Sequence, residues 1–242
     1  MTDSKYYKRT ILKEELHSEY LQETRSLRVY LPPGYNELLS YPVIYCQDGE
    51  QFFNFGRIAT SMNQAIFDDS LEPAIIVGVD VKLATRTAEY SRNGNKHQAY
   101  LQFFTSELLP YIEEKYSIRQ TKDERIVAGD SLGGTVSLHL ALDYPDLFSN
   151  VLSFSGAFYE ITRQQLAASG DLSWLNLYMI IGLDELAVET DHGTFNFLEE
   201  NRLTHELLKQ KGTRLFYEEK PGKHLWGFWQ KEIPAALRHF LG

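Results

Sequence analysis

Arg125-Ile126-Val127-Ala128-Gly129-Asp130-Ser131-Leu132-Gly133-Gly134-Thr135 runs from a short apolar stretch, through a serine bracketed by glycines, into a segment of helical character that ends near Asp143. The reading of these residues decides the fold. A serine on so sharp a strand-to-helix turn takes a strained backbone, and the residues two before and two after it must be very small for the chain to pass. Gly129 and Gly133 meet that demand. The stretch therefore predicts a strand, an elbow that presents Ser131 as a nucleophile, and a helix whose first amides face the negative charge of an attacked carbonyl. The N–H of Leu132 is the first oxyanion donor on this reading.

Elements of the same two kinds recur on both sides. Residues 42–46, 74–79, 150–154 and 177–181 are short, nearly continuous apolar runs, as expected of strands covered on both faces of a parallel sheet, and a more polar run follows at 214–218. Segment 27–31 alternates apolar and polar side chains before Pro32-Pro33-Gly34, and is expected as a half-exposed strand at a sheet edge. Helical periodicity covers 57–69, 97–116, 132–143, 194–211 and 230–241; Leu101, Phe104, Leu108, Tyr111 and Ile112 share one face of the longest segment. Strands alternating with helices imply right-handed crossovers and a mainly parallel sheet with helices on both faces. Residues 156–176 read as a helical or looped excursion.

Composition bounds the partners. The 242 residues are 43% hydrophobic and 24% charged, which suits a globular chain and excludes a disordered one. Lys and Arg number 24 against 33 Asp and Glu, so the net charge of −9 has the wrong sign for nucleic-acid binding through phosphates. No stretch approaches ~18 consecutive apolar residues, and the polar segment 1–18 lacks the apolar centre of a signal peptide. A cytoplasmic location and no membrane partner are the expectations. The single cysteine, Cys46, rules out an internal disulfide and a structural zinc site built on several cysteines, and is expected in the core. One continuous domain, 1–242, is expected.

A serine hydroxyl needs a base within hydrogen-bond reach. Where a nucleophile elbow ends a strand in this way, an acid and then a histidine follow in the chain, the histidine after the last strand. Of the seven histidines, His17 and His97 precede Ser131, and His139, His205 and His239 fall within helical segments. His192 sits in the stretch expected to hold the acid. That leaves His224, in the Lys220-Pro221-Gly222-Lys223-His224 loop, as the general base. The acid belongs after the 177–181 strand, where Gly182-Leu183-Asp184-Glu185 offers two carboxylates and Glu189 and Asp191 two more. Spacing alone does not choose among them. Either Asp or Glu can hold the imidazole tautomer. A second oxyanion amide is expected from Gln47-Asp48-Gly49-Glu50, at Glu50.

Arg28-Val29-Tyr30-Leu31-Pro32-Pro33-Gly34-Tyr35, the 45–50 segment, 129–134, 182–185 and 222–229 together resemble the "Putative esterase" family of the α/β-hydrolase superfamily, which includes esterase D, enterochelin esterases, feruloyl esterases and mycolyltransferases. The resemblance spans nearly the whole chain. It implies an α/β-hydrolase fold without a large cap domain, and it ranks Glu185 above Asp184, because the family's acid commonly falls three residues after the glycine that ends its strand. The chain lacks the Ser-Gly-Leu-Thr-Cys segment of S-formylglutathione hydrolases, having Gln47-Asp48-Gly49-Glu50 in its place.

The reading that results is a serine carboxylic-ester hydrolase for small or medium acyl esters, needing no metal or organic cofactor. Its rivals are an acyltransferase or thioesterase with the same triad, a siderophore-ester hydrolase, and a binding protein on the same scaffold that has lost catalysis. The partner is a small-molecule ester, with homo-oligomerisation left open. Phe52, Phe53, Phe55, Phe158, Tyr159, Trp226, Phe228 and Trp229 are candidates to wall the substrate pocket. Arg57 and Arg86 can hold an anionic substrate, although a solvated or structural arginine is the stronger expectation for both.

Overall fold

The structure is a computed structural model that describes residues 4–242; Met1–Asp3 of the polar N-terminal segment lie outside the described residues. Strands β1 (Thr10–Ser18) and β2 (Glu23–Leu31) pair antiparallel, and β2 pairs antiparallel with β4 (Ile75–Val79), beside which β3 (Val43–Gln47) runs parallel. Strands β5 (Arg125–Asp130), β6 (Asn150–Phe154) and β7 (Asn176–Gly182) continue the sheet in parallel. A separate antiparallel hairpin, β8 (Val188–Thr190) with β9 (Gly193–Phe195), precedes β10 (Arg214–Lys220), which closes the far edge along β7. The order β1-β2-β4-β3-β5-β6-β7-β10 places β5, and with it the serine elbow, in the middle of the sheet.

Two features of this edge correct the sequence expectation. The 27–31 segment is the end of β2, which lies one strand in from the edge, because β1 covers it over nine paired residues. Strand β1, with its exposed Thr10–Lys13, is polar enough to have no apolar signature.

The helices are α1 (Gly49–Asn54), α2 (Ile58–Asp69), α3 (Leu83–Tyr90), α4 (His97–Gln102), α5 (Leu109–Lys115), α6 (Leu132–Asp143), α7 (Glu160–Ala168), α8 (Phe197–Gln210) and α9 (Trp226–Leu241). The long periodic segment 97–116 is α4 and α5 joined by a π-helical turn over Phe103–Leu108, with Pro110 the second residue of α5. The 156–176 excursion holds α7.

Period-2 alternation divides the strands between two cores. Val43, Tyr45, Ile75, Val77, Val127, Val151 and Met179 face α4, α5, α6 and α8, through residues such as Leu101, Phe104, Leu108, Ile112, Val136 and Phe197. Ile44, Cys46, Ile76, Ala128, Leu152 and Ile180 face α1, α2 and α9, through Phe52, Ile58, Met62, Ile233 and Leu237. Cys46 is fully buried there, and burial pushes its thiol pKa up.

Candidate active site

The site forms at the carboxyl ends of the central strands. Ser131 follows β5 with φ 54° and ψ −125°. Its backbone is held from both sides: its N–H donates to Phe154 O at 2.9 Å, and its carbonyl accepts from Ala157 N at 3.0 Å. A Cβ on Gly129 would lie 2.1 Å from the Gly133 carbonyl carbon, so a methyl group there would drive the strand end and the first turn of α6 apart. Helix α6 starts at Leu132 and points its N-terminus at the elbow.

Ser131 shares a cleft of about 250 Å³ with Arg86, Thr87, Leu132, Tyr159, the 188–192 hairpin residues and His224. The histidine comes from the loop between β10 and α9, and its Nδ1 lies 2.6 Å from Glu185 Oε2. A carboxylate only accepts, so Nδ1 carries the hydrogen, and in the neutral imidazole this leaves the lone pair on Nε2. Glu185 is fully buried and its other oxygen is also engaged: Oε1 accepts from Ser155 Oγ at 2.6 Å and from Gly182 N at 2.9 Å. Trp229 Nε1 in turn donates to Ser155 Oγ at 2.8 Å. The imidazole is flanked by Phe197, with ring centroids 4.8 Å apart, and by the edge of Trp229 at 4.9 Å. Its loop is tied to the acid's loop by Asp184 N donating to Gly222 O at 3.0 Å.

Over residues 18–240 the sequence matches the family described as "Putative esterase". The chain belongs to that esterase family. A Bacillus subtilis relative, "Uncharacterized protein YjcH", is 36% identical over 234 residues that cover 96% of this esterase-family chain and 98% of the relative. Among solved structures, a ferulic acid esterase superposes with a TM-score of 0.83 at 20% identity, covering 96% of this chain and 98% of its own. The enterobactin esterase of Shigella flexneri superposes with a TM-score of 0.81 at 20% identity, covering 95% of this chain and 59% of its own. With the strand order above, these likenesses establish the α/β-hydrolase fold.

Of the residues singled out in the sequence, the structure brings Ser131, Leu132 and His224 to one cleft and sets Glu185 behind His224. Asp184, Glu189 and Asp191 are exposed, the last two on the hairpin at the cleft mouth, together with His192. Glu50 does not join them. Its N–H faces the Asp80 carboxylate, its own carboxylate lies 3.2 Å from Arg28, and it borders a neighbouring cavity with Gln51, Asn54 and Phe55. Most of the aromatic candidates are core residues: Phe52, Phe53, Phe158, Phe228 and Trp229 are buried, and Tyr159 alone of the set lines the Ser131 cleft. Sequence reasoning missed Ser155, a serine at a strand end with no motif around it, whose φ of 48° repeats the left-handed backbone of Ser131.

A second charged group underlies the elbow. Arg86 makes a two-pronged pair with Asp48, Nε to Oδ1 and Nη2 to Oδ2 both at 2.8 Å, and Asp130 is buried beside them. Burial first, and the Asp48 carboxylate second, push the Asp130 carboxyl up to about 7 against the pull of Arg86. Between the ordinary value near 4 and this raised one, the folded chain holds a proton that the unfolded chain has released. The stabilisation from this group is therefore complete in acid and is lost as the pH rises to neutrality. Asp130→Asn is expected to gain a few kcal/mol of stability relative to the parent between pH 4 and pH 8, measured by urea denaturation at both values. A difference that stays constant with pH would contradict the assignment.

Proposed function

We propose that the chain, as one α/β-hydrolase domain over residues 1–242, is a serine carboxylic-ester hydrolase for small or medium acyl esters. Ser131 Oγ attacks the ester carbonyl while His224 Nε2 takes its proton. Glu185 keeps the hydrogen on Nδ1 and stabilises the imidazolium that forms. The Leu132 amide and the N-terminus of α6 receive the oxyanion. His224 then returns the proton to the leaving alcohol, and a water molecule, deprotonated by the same histidine, cleaves the acyl-enzyme.

The observation that carries this reading is the 2.6 Å contact of a fully buried carboxylate with the Nδ1 of a histidine that shares a cleft with a left-handed, glycine-bracketed serine. Membership of an esterase family supports it. The cleft at Ser131 is small, and it shares Thr87, Tyr159 and His192 with a larger cavity of about 750 Å³ between α3 and α7, which gives room for the rest of the substrate.

The test is steady-state and burst kinetics on p-nitrophenyl esters of rising acyl length. A burst of p-nitrophenol equal to the enzyme, followed by slower turnover, is expected, with esters longer than acetate accepted. The absence of turnover above the buffer rate across the series would reject the proposal. Adding an alcohol acceptor separates hydrolysis from acyl transfer, because a transferase must direct the acyl group to the acceptor in the presence of ~55 M water.

A further inference from the structure

The proposed mechanism does not use Arg86, yet Arg86 is the side chain that joins the two turns flanking the reacting carbonyl. It comes from α3, lines the Ser131 cleft and is only 17% exposed. One edge of its guanidinium grips Asp48, the residue that ends the β3 turn with a left-handed φ of 53°. The same Nη2 donates to the carbonyl of Asp130, the residue before the nucleophile, at 3.3 Å. Asp48 also sits against the first turn of α6: a Cβ on Gly133 would lie 3.1 Å from its Oδ2. The arginine is itself fixed from behind, with its guanidinium carbon 5.2 Å from the Tyr90 ring centroid, while the Tyr90 hydroxyl accepts from Asp48 N at 3.3 Å.

Two left-handed turns thus face each other across one planar fork. Neither Asp48 nor Ser131 is a glycine, and such backbones persist only where the surroundings over-determine them. A guanidinium suits the task because its donors are fixed in a plane, which an ammonium cannot reproduce. Its edge is already occupied by a carboxylate, which argues against its serving as a receptor for an anionic substrate.

We propose that Arg86 is a positioning residue: it sets the separation between the Asp48 turn and the Ser131 elbow, and through it the geometry in which the Leu132 amide meets the oxyanion. The inference rests on the serine-hydrolase reading above. Arg86→Ala and Arg86→Lys are compared with the parent on p-nitrophenyl acetate and on an anionic p-nitrophenyl ester, after counting working sites by titration with a fluorophosphonate. Because Arg86→Ala leaves Asp48 and Asp130 buried without their counter-charge, the double variant Arg86→Met, Asp48→Asn is included to keep the buried site balanced in charge.

The expected result is a fall in kcat per titrated site of about 10²-fold, with KM within about twofold, in the alanine and double variants. Lysine should recover only part of the loss, and guanidinium ion at concentrations below those that unfold the chain should restore turnover to Arg86→Ala. A kcat per titrated site equal to the parent's in folded variants would overturn the inference and leave arginine as a fold element only. A rise in KM confined to anionic esters would also overturn it, in favour of substrate binding. A parent that neither reacts with the fluorophosphonate nor turns over ester would instead overturn the reading on which the inference rests.

Discussion

Ser131→Ala is expected to lower kcat/KM for a p-nitrophenyl ester by roughly 10⁴-fold or more, while the melting temperature stays within a few degrees of the parent's. The loss is expected to be large because the acyl-enzyme cannot form at position 131 once the hydroxyl that His224 would deprotonate is gone. The residue of activity comes from the Leu132 amide and from substrate binding, which can still assist water. Stability changes little for a specific reason. Alanine at φ 54° carries the same left-handed strain as serine, and the backbone bonds that hold the elbow, Ser131 N to Phe154 O and Ala157 N to Ser131 O, do not involve the hydroxyl. A variant that keeps a tenth or more of the parent's activity would remove Ser131 from the mechanism.

Glu185→Gln is the second large effect, expected at about 10²–10⁴-fold in kcat, with Asp184→Asn within about twofold of the parent. The argument follows the hydrogen bonds. The oxygen on the Ser155 and Gly182 side receives two donors, so a glutamine must place its carbonyl there. Its NH₂ then faces His224 Nδ1 and forces that nitrogen to accept. The hydrogen moves to Nε2, and the imidazole can no longer take a proton from Ser131. Asp184, one residue earlier, is exposed and enters the site only through its backbone N–H to Gly222 O, which asparagine retains. Kinetics of both variants on one ester, with circular dichroism to confirm folding, check the pair. If Asp184→Asn lost more than Glu185→Gln, the carboxylate assigned to His224 would be the wrong one.

The central strands are legible in the sequence because both of their faces are covered, which leaves nearly continuous apolar runs at β3, β4, β5, β6 and β7. Edge and surface elements carry no such mark. Strand β1 is mostly exposed, and α3 buries only Glu89 and Tyr90, so neither shows a clear apolar period. Ser131 is legible for a steric reason, since a Cβ on Gly129 would stand 2.1 Å from the Gly133 carbonyl carbon and one on Gly134 2.6 Å from Ser153 Oγ. The choice between Asp184 and Glu185 is a matter of three-dimensional direction, because adjacent side chains in a turn diverge. Here a Cβ on Gly182 would stand 2.7 Å from Glu185 Oε1, so the glycine that ends β7 gives the carboxylate its space. Arg86 is harder still to read, since its partner Asp48 lies 38 residues away and the Asp130 carbonyl 44. Nothing local in the sequence joins those three residues.

The positions of Ser131, His224 and Glu185 lead to one chemical claim, that a single serine is the nucleophile. The direct measurement is reaction of the folded protein with a fluorophosphonate, followed by proteolysis and mass analysis of the peptides. One adduct is expected, on the peptide that carries Ser131, absent from Ser131→Ala and formed much more slowly in His224→Ala. An adduct on another residue, or no adduct on a protein whose melting curve shows it folded, would contradict the account.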